Sequence, residues 1–230
     1  KIYKIYNKTA FSIYFRDRQS EFKILYKELN NLKLSVNHKI ISRNIIEIEE
    51  LKSDQNLTLR RLFNDNNLLK NFLKKIKKIS SINKKVSSRK IINEIDNYVR
   101  HTSRHQKINN KISKLKKYIE VYDQNKVCHG DLHLENIFIK KNKFLFLDWD
   151  YFILSSTGYD LAMFAYLENL NEKQINKLSL YSKVSMEEIN HYLPICQLLD
   201  YLYLSLIHKK DNEQVKKLKL KVNKFISNNL

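Results

Sequence analysis

Glycine is almost absent from this chain, and its absence constrains the fold more than any other feature. The 230 residues include two glycines, Gly130 and Gly158, whereas average usage near 7% would give roughly 16. Glycine is the residue that accepts a left-handed backbone or the close approach of another segment. We therefore expect both to lie where no side chain fits, the alternative being two ordinary turn glycines. Both flank the segment 129–160, which becomes the first place to look for function.

The overall composition is that of a globular protein. Hydrophobic residues make up 43% of the chain and aromatic residues 11%, more than a disordered chain contains. No apolar run approaches the roughly 20 residues that cross a membrane, so we expect no spanning helix. Cys128 and Cys196 are too few for a disulfide framework and lack the spacing of metal ligands. A reducing compartment is the simplest setting for such a chain, and we expect a cytoplasmic protein.

The formal charge of +19 is the bulk property that points toward a polyanionic partner. Nucleic acid or an anionic membrane surface would attract such a chain. The lysines are, however, spread along most of the sequence, and a nucleic-acid site requires clustered basic residues. The charge therefore indicates a compositional bias toward Lys, Ile and Asn, and we expect no nucleic-acid partner.

The N-terminal part alternates short strands with one helix. Residues 2–6 and 11–16 are β-branched and aromatic runs separated by a turn-like cluster, and they are predicted to form a hairpin. A helix is predicted over 19–32, where apolar residues recur at helical spacing. Two further strands are predicted at 39–41 and 44–48.

The rest of the chain is predicted to be helical on both sides of a strand-containing segment. Helices are expected over most of 54–121, and a strand at 126–128. Apolar runs at 136–139 and 144–147 indicate a hairpin. From residue 160 to the end the pattern is helical again.

Two signals near the C-terminus mark helix starts. Ser185 followed by Glu188 resembles the capping box of a short helix. Pro194 suits the first turn of a second helix that continues through Leu206.

The chemistry-bearing residues lie in the segment between the two glycines. Asp131 precedes Asn136 by five residues, and Asp148 follows after the predicted hairpin. Phosphoryl transfer to a hydroxyl needs one carboxylate that orients the hydroxyl and accepts its proton, together with oxygen ligands for Mg²⁺. Protein kinases arrange an Asp base, an Asn ligand and a later Asp ligand in this order. The spacing therefore predicts a kinase-like magnesium site.

Three stretches of sequence carry a family resemblance. HGDLHLENIFI, followed by FLFLDWDYF and GYDLAMF, resembles the aminoglycoside phosphotransferase and choline kinase superfamily, whose members phosphorylate small alcohols. The resemblance is strong over 125–170. It implies Asp131 as the catalytic base, Asn136 and Asp148 as Mg²⁺ ligands, His129 beside Gly130 as a residue that orders the loop, and Asp160 as the acid that steadies it.

The resemblance also implies an architecture. We expect an α+β, two-lobed protein-kinase-like fold with a small strand-rich N-lobe and a mostly helical C-lobe. Residues 1–52 would form the nucleotide-binding lobe, and 53–230 the C-terminal lobe with a catalytic loop at 128–136 and a metal-binding hairpin end at 144–151. ATP and Mg²⁺ are the implied cofactors, and the sequence leaves the preference for ATP over GTP and the oligomeric state open.

The N-terminal lobe resembles the family more weakly. Arg16 ends a strand and Glu21 lies early in the next helix, which resembles the cation–carboxylate pair that holds nucleotide phosphates. Arg18 is a competing choice, and an ordinary surface pair is the alternative. No glycine-rich phosphate loop is present. Because the chain begins with Lys1 rather than Met, we expect that loop and its strand to precede the sequence given.

Other candidates in the same segment have simpler explanations. His129 and His133 flank Asp131 and could suggest a transition-metal site, but the kinase interpretation explains more residues. Trp149 is expected to pack beneath the metal-binding Asp148. Asp150 is either a second acid facing metal or substrate or an exposed turn residue.

The identity of the acceptor is the least determined feature. Asp200, Tyr201 and Tyr203 lie on a late helix, where an aromatic and acidic wall would suit a cationic nitrogen compound, although core packing explains the tyrosines equally well. The compact chain resembles bacterial thiamine and choline kinases. We expect thiamine as the acceptor, with choline, another small alcohol or an aminoglycoside as alternatives. A degenerate kinase fold without activity is a further alternative.

Overall fold

The computed structural model describes residues 2–5, 18–42, 45–50, 57–87, 89–100, 106–140, 143–207 and 213–230. The strand predicted at 11–16, and with it Arg16, lies outside these residues.

The N-terminal lobe combines a small antiparallel sheet with one helix. The sheet consists of β1 (Ile2–Ile5), β2 (His38–Ser42) and β3 (Ile45–Ile48), with β3 between the other two. Helix α1 (Gln19–Leu32) buries one face, and the left-handed backbone of the next residue, Lys33 (φ 53°), closes its last turn. The predicted helix over 19–32 is confirmed.

A series of helices follows, as predicted, with interruptions between them. Asp65 starts the longest of these, because its side chain accepts hydrogen bonds from the amides of Asn67 and Leu68 at 2.9 and 3.0 Å. The apolar stripe from Leu69 to Ile79 is buried, and this fixes the face that packs inward. The helices are α2 (Leu59–Asn64), α3 (Asn66–Ser80), α4 (Ile91–Arg100), α5 (Gln106–Asn109) and α6 (Ile112–Ile119).

Four short strands then form two antiparallel pairs. The expected strand at 126–128 and the expected hairpin are both present. The strand that pairs with β4 is too short to show periodicity and was not predicted. The strands are β4 (Lys126–Cys128), β5 (Ile137–Lys140), β6 (Lys143–Phe146) and β7 (Ile153–Ser155), with β4 paired to β7 and β5 to β6.

The C-terminal part is helical. The prediction of two helices meeting near Pro194 is wrong, since one helix continues through this proline. Proline removes one backbone hydrogen bond, but burial of the neighbouring Tyr192 and Ile195 holds the helix in its packed position. Ser185 still caps its start, accepting from the amide of Glu188 at 3.0 Å. The helices are α7 (Thr157–Leu167), α8 (Glu172–Ser182), α9 (Met186–Ile207) and α10 (Glu213–Asn229).

This arrangement brings two loops and the start of a helix to one region. The loop between β4 and β5, the turn after β6 and the start of α7 are held close together because β4 pairs with β7, the strand that leads into α7. The predicted α+β, two-lobed arrangement is confirmed. Among the described residues, no helix has the length and apolar character needed to cross a membrane.

Candidate active site

Gly130 lies at the first bend of the loop between β4 and β5. Its backbone is left-handed (φ 83°), and a Cβ built on it would lie 2.0 Å from the carbonyl oxygen of Tyr151. No side chain can occupy that space, because real Cβ contacts of this length do not occur. The structure thus gives a physical reason for one of the two glycines. The other, Gly158, donates its amide to Glu188 Oε1 at 3.1 Å and has that side chain packed on it.

Asp160 holds this loop in place through two hydrogen bonds to its backbone. The residue is fully buried in the first turn of α7, and its two carboxylate oxygens accept the backbone amides of His129 at 2.8 Å and Gly130 at 3.0 Å. Burial raises the pKa of Asp160 to about 6, against the effect of these two hydrogen bonds. One side chain thereby fixes two consecutive peptide units of the loop.

His129 joins the loop to the end of the β5–β6 hairpin. Its Nε2 donates to the carbonyl oxygen of Leu147 at 2.7 Å, while its Nδ1 accepts the amide of Asp131 at 3.3 Å. Burial lowers the pKa of His129, so the ring is neutral near pH 7, as this pair of roles requires. Trp149 packs against the ring with a centroid separation of 4.6 Å, which makes the junction rigid.

Asp131 presents a partly exposed carboxylate beside His133 and Asn136. His133 Nε2 lies 3.6 Å from Asp131 Oδ2, and Asn136 Nδ2 lies 3.3 Å from the same oxygen. Burial would raise the pKa of Asp131, but the neighbouring His133 and His129 imidazoles and the Asn136 amide outweigh it and lower the pKa. The carboxylate is therefore ionised at neutral pH and able to accept a proton.

Asn136 and Asp148 lie at the same end of the β5–β6 hairpin. The amide of Leu147 donates to the carbonyl oxygen of Asn136 at 2.9 Å, which places the two segments side by side. Asn136 Nδ2 donates to the backbone oxygen of Asp131 at 2.9 Å, so its side-chain oxygen is the atom suited to a metal. Asp148 is exposed and has a left-handed backbone (φ 54°, ψ 65°). Such a backbone in a non-glycine residue is frequent at functional sites.

These donors fit Mg²⁺ and do not fit a transition metal. Mg²⁺ takes one or two protein oxygens and completes its shell with water and substrate phosphates, which matches Asn136 and Asp148. Among the described residues, no group of three or more His, Cys, Asp or Glu side chains could hold a metal ion. The imidazoles of His129 and His133 are instead directed to the Leu147 carbonyl and to Asp131.

Glu21, predicted beside the nucleotide phosphates, is paired with Arg18. Arg18 Nε lies 2.6 Å from Glu21 Oε2, and its NH2 nitrogen donates to the carbonyl oxygen of Phe152 at 2.7 Å. The guanidinium also lies 3.9 Å above the Phe152 ring and is buried. Arg18 was the competing choice in the sequence, and here it connects the N-terminal helix to the segment that follows Asp148. The first choice, Arg16, lies outside the described residues.

A cavity of about 230 Å³ opens beside Asp131. Its wall is tyrosine-rich and acidic, and the described residues that line it include no Lys, Arg or His. Tyr203 stands at the rim, in edge-to-face contact with Tyr151 at 6.4 Å between ring centroids. The polar and aromatic lining consists of Glu94, Tyr98, Asp131, Tyr151, Tyr159, Asp200 and Tyr203.

The predicted substrate residues divide into two groups. Asp200 and Tyr203 line the cavity, whereas Tyr201 and Asp150 are buried and are not among its lining residues. Tyr201 follows Asp200 by one position, and successive residues of a helix point in different directions. The burial of Tyr201 fits core packing, the alternative explanation for this tyrosine.

Four polar or aromatic lining residues were missed, namely Glu94, Tyr98, Tyr151 and Tyr159. Glu94 and Tyr98 are four apart on α4 and therefore share one helix face. This spacing of four could have identified them as a pair, but the surrounding amphipathic region contains many residues at the same spacing. Tyr151 directly follows the Asp148–Asp150 run and could have been included with it.

Several known proteins are similar to this chain in sequence or in fold. A family model described as "APH: Phosphotransferase enzyme family" matches residues 91–178, which hold the loop, the hairpin and part of the cavity wall. This match, together with the similar proteins described next, confirms the resemblance to the aminoglycoside phosphotransferase and choline kinase superfamily.

Individual proteins are similar over different lengths. The chain is 28% identical over 136 residues to a "Protein LicA homolog" of Metamycoplasma hominis, a match that covers 59% of this chain and 44% of that relative. It thus spans less than half of the curated relative. The fold is similar to choline kinase LicA from Streptococcus pneumoniae (TM-score 0.73, 18% identity, 98% of this chain and 85% of that one). It is also similar to amicoumacin kinase bound to AMP-PNP and Ca²⁺ (TM-score 0.65, 11% identity, 96% and 78%).

Proposed function

We propose that this chain transfers the γ-phosphoryl group of ATP to the hydroxyl of a small cationic alcohol, and that choline is the best candidate acceptor. The observation that carries the proposal is the cavity beside Asp131. In a chain with a formal charge of +19, that cavity is lined by three carboxylates and four tyrosines and by no described basic residue. Local charge of this sign opposes the charge of the whole protein and favours a cationic ligand.

Asp131 is the residue proposed to act on the acceptor. It lines the cavity, and its lowered pKa keeps it ionised. From this position the carboxylate can accept a hydrogen bond from the acceptor hydroxyl, align its oxygen toward the phosphorus and take the proton as the new O–P bond forms. Asn136 donates to the Asp131 backbone and so fixes the loop in the required geometry.

The phosphate side of the reaction is proposed to use Asn136 and Asp148 as ligands of Mg²⁺. When bound, the ion supplies positive charge against the β- and γ-phosphate oxygens. His129 orients this pair of ligands, since it connects the loop before Asn136 to the residue before Asp148. The similarity to a kinase structure that contains AMP-PNP supports an adenine nucleotide as the donor. Residues 1–52 are proposed as its binding lobe and 53–230 as the lobe that binds the acceptor.

The tyrosines are proposed to surround the cationic group. A cation over an aromatic face gains roughly 0.5–2 kcal/mol, with the larger values in desolvated sites. Tyr98, Tyr151 and Tyr203 converge on the cavity from α4, the turn after Asp148 and α9. A quaternary ammonium, which has no hydrogen-bond donors, matches an aromatic wall better than a polyhydroxylated acceptor does.

Choline is preferred to thiamine because of the comparisons. Two of the similar proteins named above carry the LicA name, and one of these is described as a choline kinase. Thiamine is mentioned in none of those descriptions and rests only on the compact size and cationic character noted from the sequence. An inactive, degenerate fold is disfavoured, since Asp131, Asn136 and their backbone contacts form a complete hydrogen-bonded loop.

A panel assay tests the proposal. The complete protein would be incubated with labelled ATP, Mg²⁺ and, separately, choline, ethanolamine, thiamine, homoserine and an aminoglycoside. We expect choline to give the highest kcat/KM and to require Mg²⁺. Faster turnover of thiamine at equal concentration would restore the acceptor expected from sequence, and the absence of any product would favour the inactive fold.

A further inference from the structure

The two acids of the cavity wall that do not belong to the catalytic loop have different partners. Glu94 forms an ion pair with Arg89, whose Nη1 lies 2.7 Å from Glu94 Oε1. Glu94 is largely buried and Arg89 is about one quarter exposed. The negative charge of Glu94 is therefore already balanced by a cation of the protein.

Asp200 has no such balance. Its Oδ2 accepts the hydroxyl of Tyr166 at 2.5 Å, and no Lys, Arg or His within the described part of the chain forms an ion pair with it. Tyr166 lies on α7 and Asp200 on α9, so the hydrogen bond joins two helices and fixes the carboxylate toward the cavity. A hydroxyl orients a carboxylate, but it carries no charge that could neutralise it.

The surroundings make an ionised Asp200 costly. Burial raises its pKa, the Tyr166 hydroxyl acts in the opposite direction, and the negative charge of Asp131 raises it further. A cation entering the cavity would relieve this cost, because Coulomb attraction is strong where water is partly excluded. Glu94 offers no comparable gain, since its charge is already paired.

We propose that Asp200, positioned by the Tyr166 hydroxyl, is the specificity-determining residue that makes the cavity prefer a cationic acceptor over a neutral one of the same shape. Glu94 lines the same cavity but acts as a structural acid bound to Arg89. The proposal rests on the proposed function and deepens it. Composition alone would assign the preference for a cationic acceptor to both Asp200 and Glu94. The proposal assigns it to Asp200 alone.

A pair of matched acceptors separates charge from shape. Choline and 3,3-dimethyl-1-butanol have the same branched end and the same primary hydroxyl, but only choline carries a charge. For the wild type and each variant, kcat/KM would be measured for both, and their ratio is the charge preference. Asp200→Asn is expected to lower this ratio by at least about tenfold, mainly through KM for choline.

Glu94→Gln is the matched control, because it neutralises the other acid of the same wall. It is expected to keep the ratio within about threefold of wild type, although it breaks the ion pair with Arg89 and lowers the melting temperature. Tyr166→Phe removes the hydroxyl without changing the charge and is expected to lower the ratio by an intermediate factor. This variant also tests the proposal if Asp200→Asn fails to fold.

Calorimetric titration with choline distinguishes failure of this inference from failure of the proposed function. If the wild type phosphorylates neither alcohol, the proposed function fails, and loss of choline affinity in Asp200→Asn but not in Glu94→Gln would still support the inference. An equal loss of preference in both acid variants would overturn it, as would an unchanged preference in Asp200→Asn or in Tyr166→Phe. The absence of choline binding to the wild type would also overturn it.

Discussion

The two sides of the candidate site are built in opposite ways. The phosphate side comes from one continuous stretch, 129–160, and is held mainly by hydrogen bonds that involve the backbone, such as those of Asp160 and His129. The acceptor wall is assembled from α4, α7 and α9, which are far apart in sequence, and it is held by side-chain pairs. A backbone-held frame changes little under substitution, whereas a wall of side chains can be altered one residue at a time. We therefore expect the frame to determine the reaction and the wall to determine the acceptor.

The largest effect is expected at Asp131, the proposed general base. Asp131→Asn should lower kcat by at least about 100-fold, because general base catalysis contributes 10²–10⁴-fold, and should leave nucleotide affinity and melting temperature nearly unchanged. The measurement is steady-state kinetics combined with nucleotide titration. Glu135→Gln, which changes an exposed carboxylate of the same loop, is the control and should retain turnover. A mutant that keeps more than about a tenth of wild-type kcat would remove Asp131 from this role.

The next largest effects are expected at Asp148 and Asn136, the proposed metal ligands. Asp148→Ala should weaken Mg·ATP binding by about tenfold or more, since a carboxylate ligand of a hard cation is lost. Asn136→Ala should weaken it less, because an amide contributes less charge, while it also lowers kcat through the lost hydrogen bond to Asp131. Calorimetry with and without Mg²⁺ measures both effects. Equal Mg·ATP affinity in wild type and Asp148→Ala would contradict the assignment.

A smaller effect is expected at Asp160, which holds the loop between β4 and β5 in place. Asp160→Asn leaves one side-chain oxygen for the two amides that the carboxylate accepts. The free energy of unfolding should fall by about 1–3 kcal/mol, the cost of an unsatisfied buried donor, and kcat should fall with it. Chemical denaturation gives the first quantity. An unchanged denaturation midpoint would show that these hydrogen bonds do not hold the loop.

The smallest effect concerns the wall. Tyr203→Leu, at the rim, should raise the KM of the acceptor a few-fold, because one aromatic face is lost. Tyr201→Phe, buried two positions earlier and away from the cavity, should leave that KM unchanged. Acceptor saturation curves at fixed Mg·ATP measure both. The opposite ranking would mean that the cavity is not the acceptor site.

The contrast between a continuous segment and a wall assembled from distant helices also explains which features could be predicted from the sequence. The strand at 126–128 and the hairpin that carries Asn136 and Asp148 at its end were predictable, because their apolar runs are local. The spacing of Asp131, Asn136 and Asp148 along this one segment suggested the proposed site. Helix α1 was predictable because its apolar period is local. The residues that line the cavity were predicted only in part. Glu94 and Asp200 are brought together by the packing of α4 against α9, and no local sequence pattern specifies that packing. The prediction that a helix starts near Pro194 was wrong for a similar reason. The local preference of proline for the first turn of a helix is overridden by the packing of the residues around it.

The central claim is that the chain is a kinase for a small cationic alcohol, and ³¹P NMR tests it most directly. The complete protein and its Asp131→Asn variant would be followed with ATP, Mg²⁺ and choline. With the wild type, phosphocholine and ADP are expected to appear in equal amounts. With the variant, neither is expected to appear at a comparable rate. Phosphocholine formed equally fast by both proteins would contradict the assigned base. ATP that stays intact with choline and with every other alcohol of the panel would contradict the claim itself.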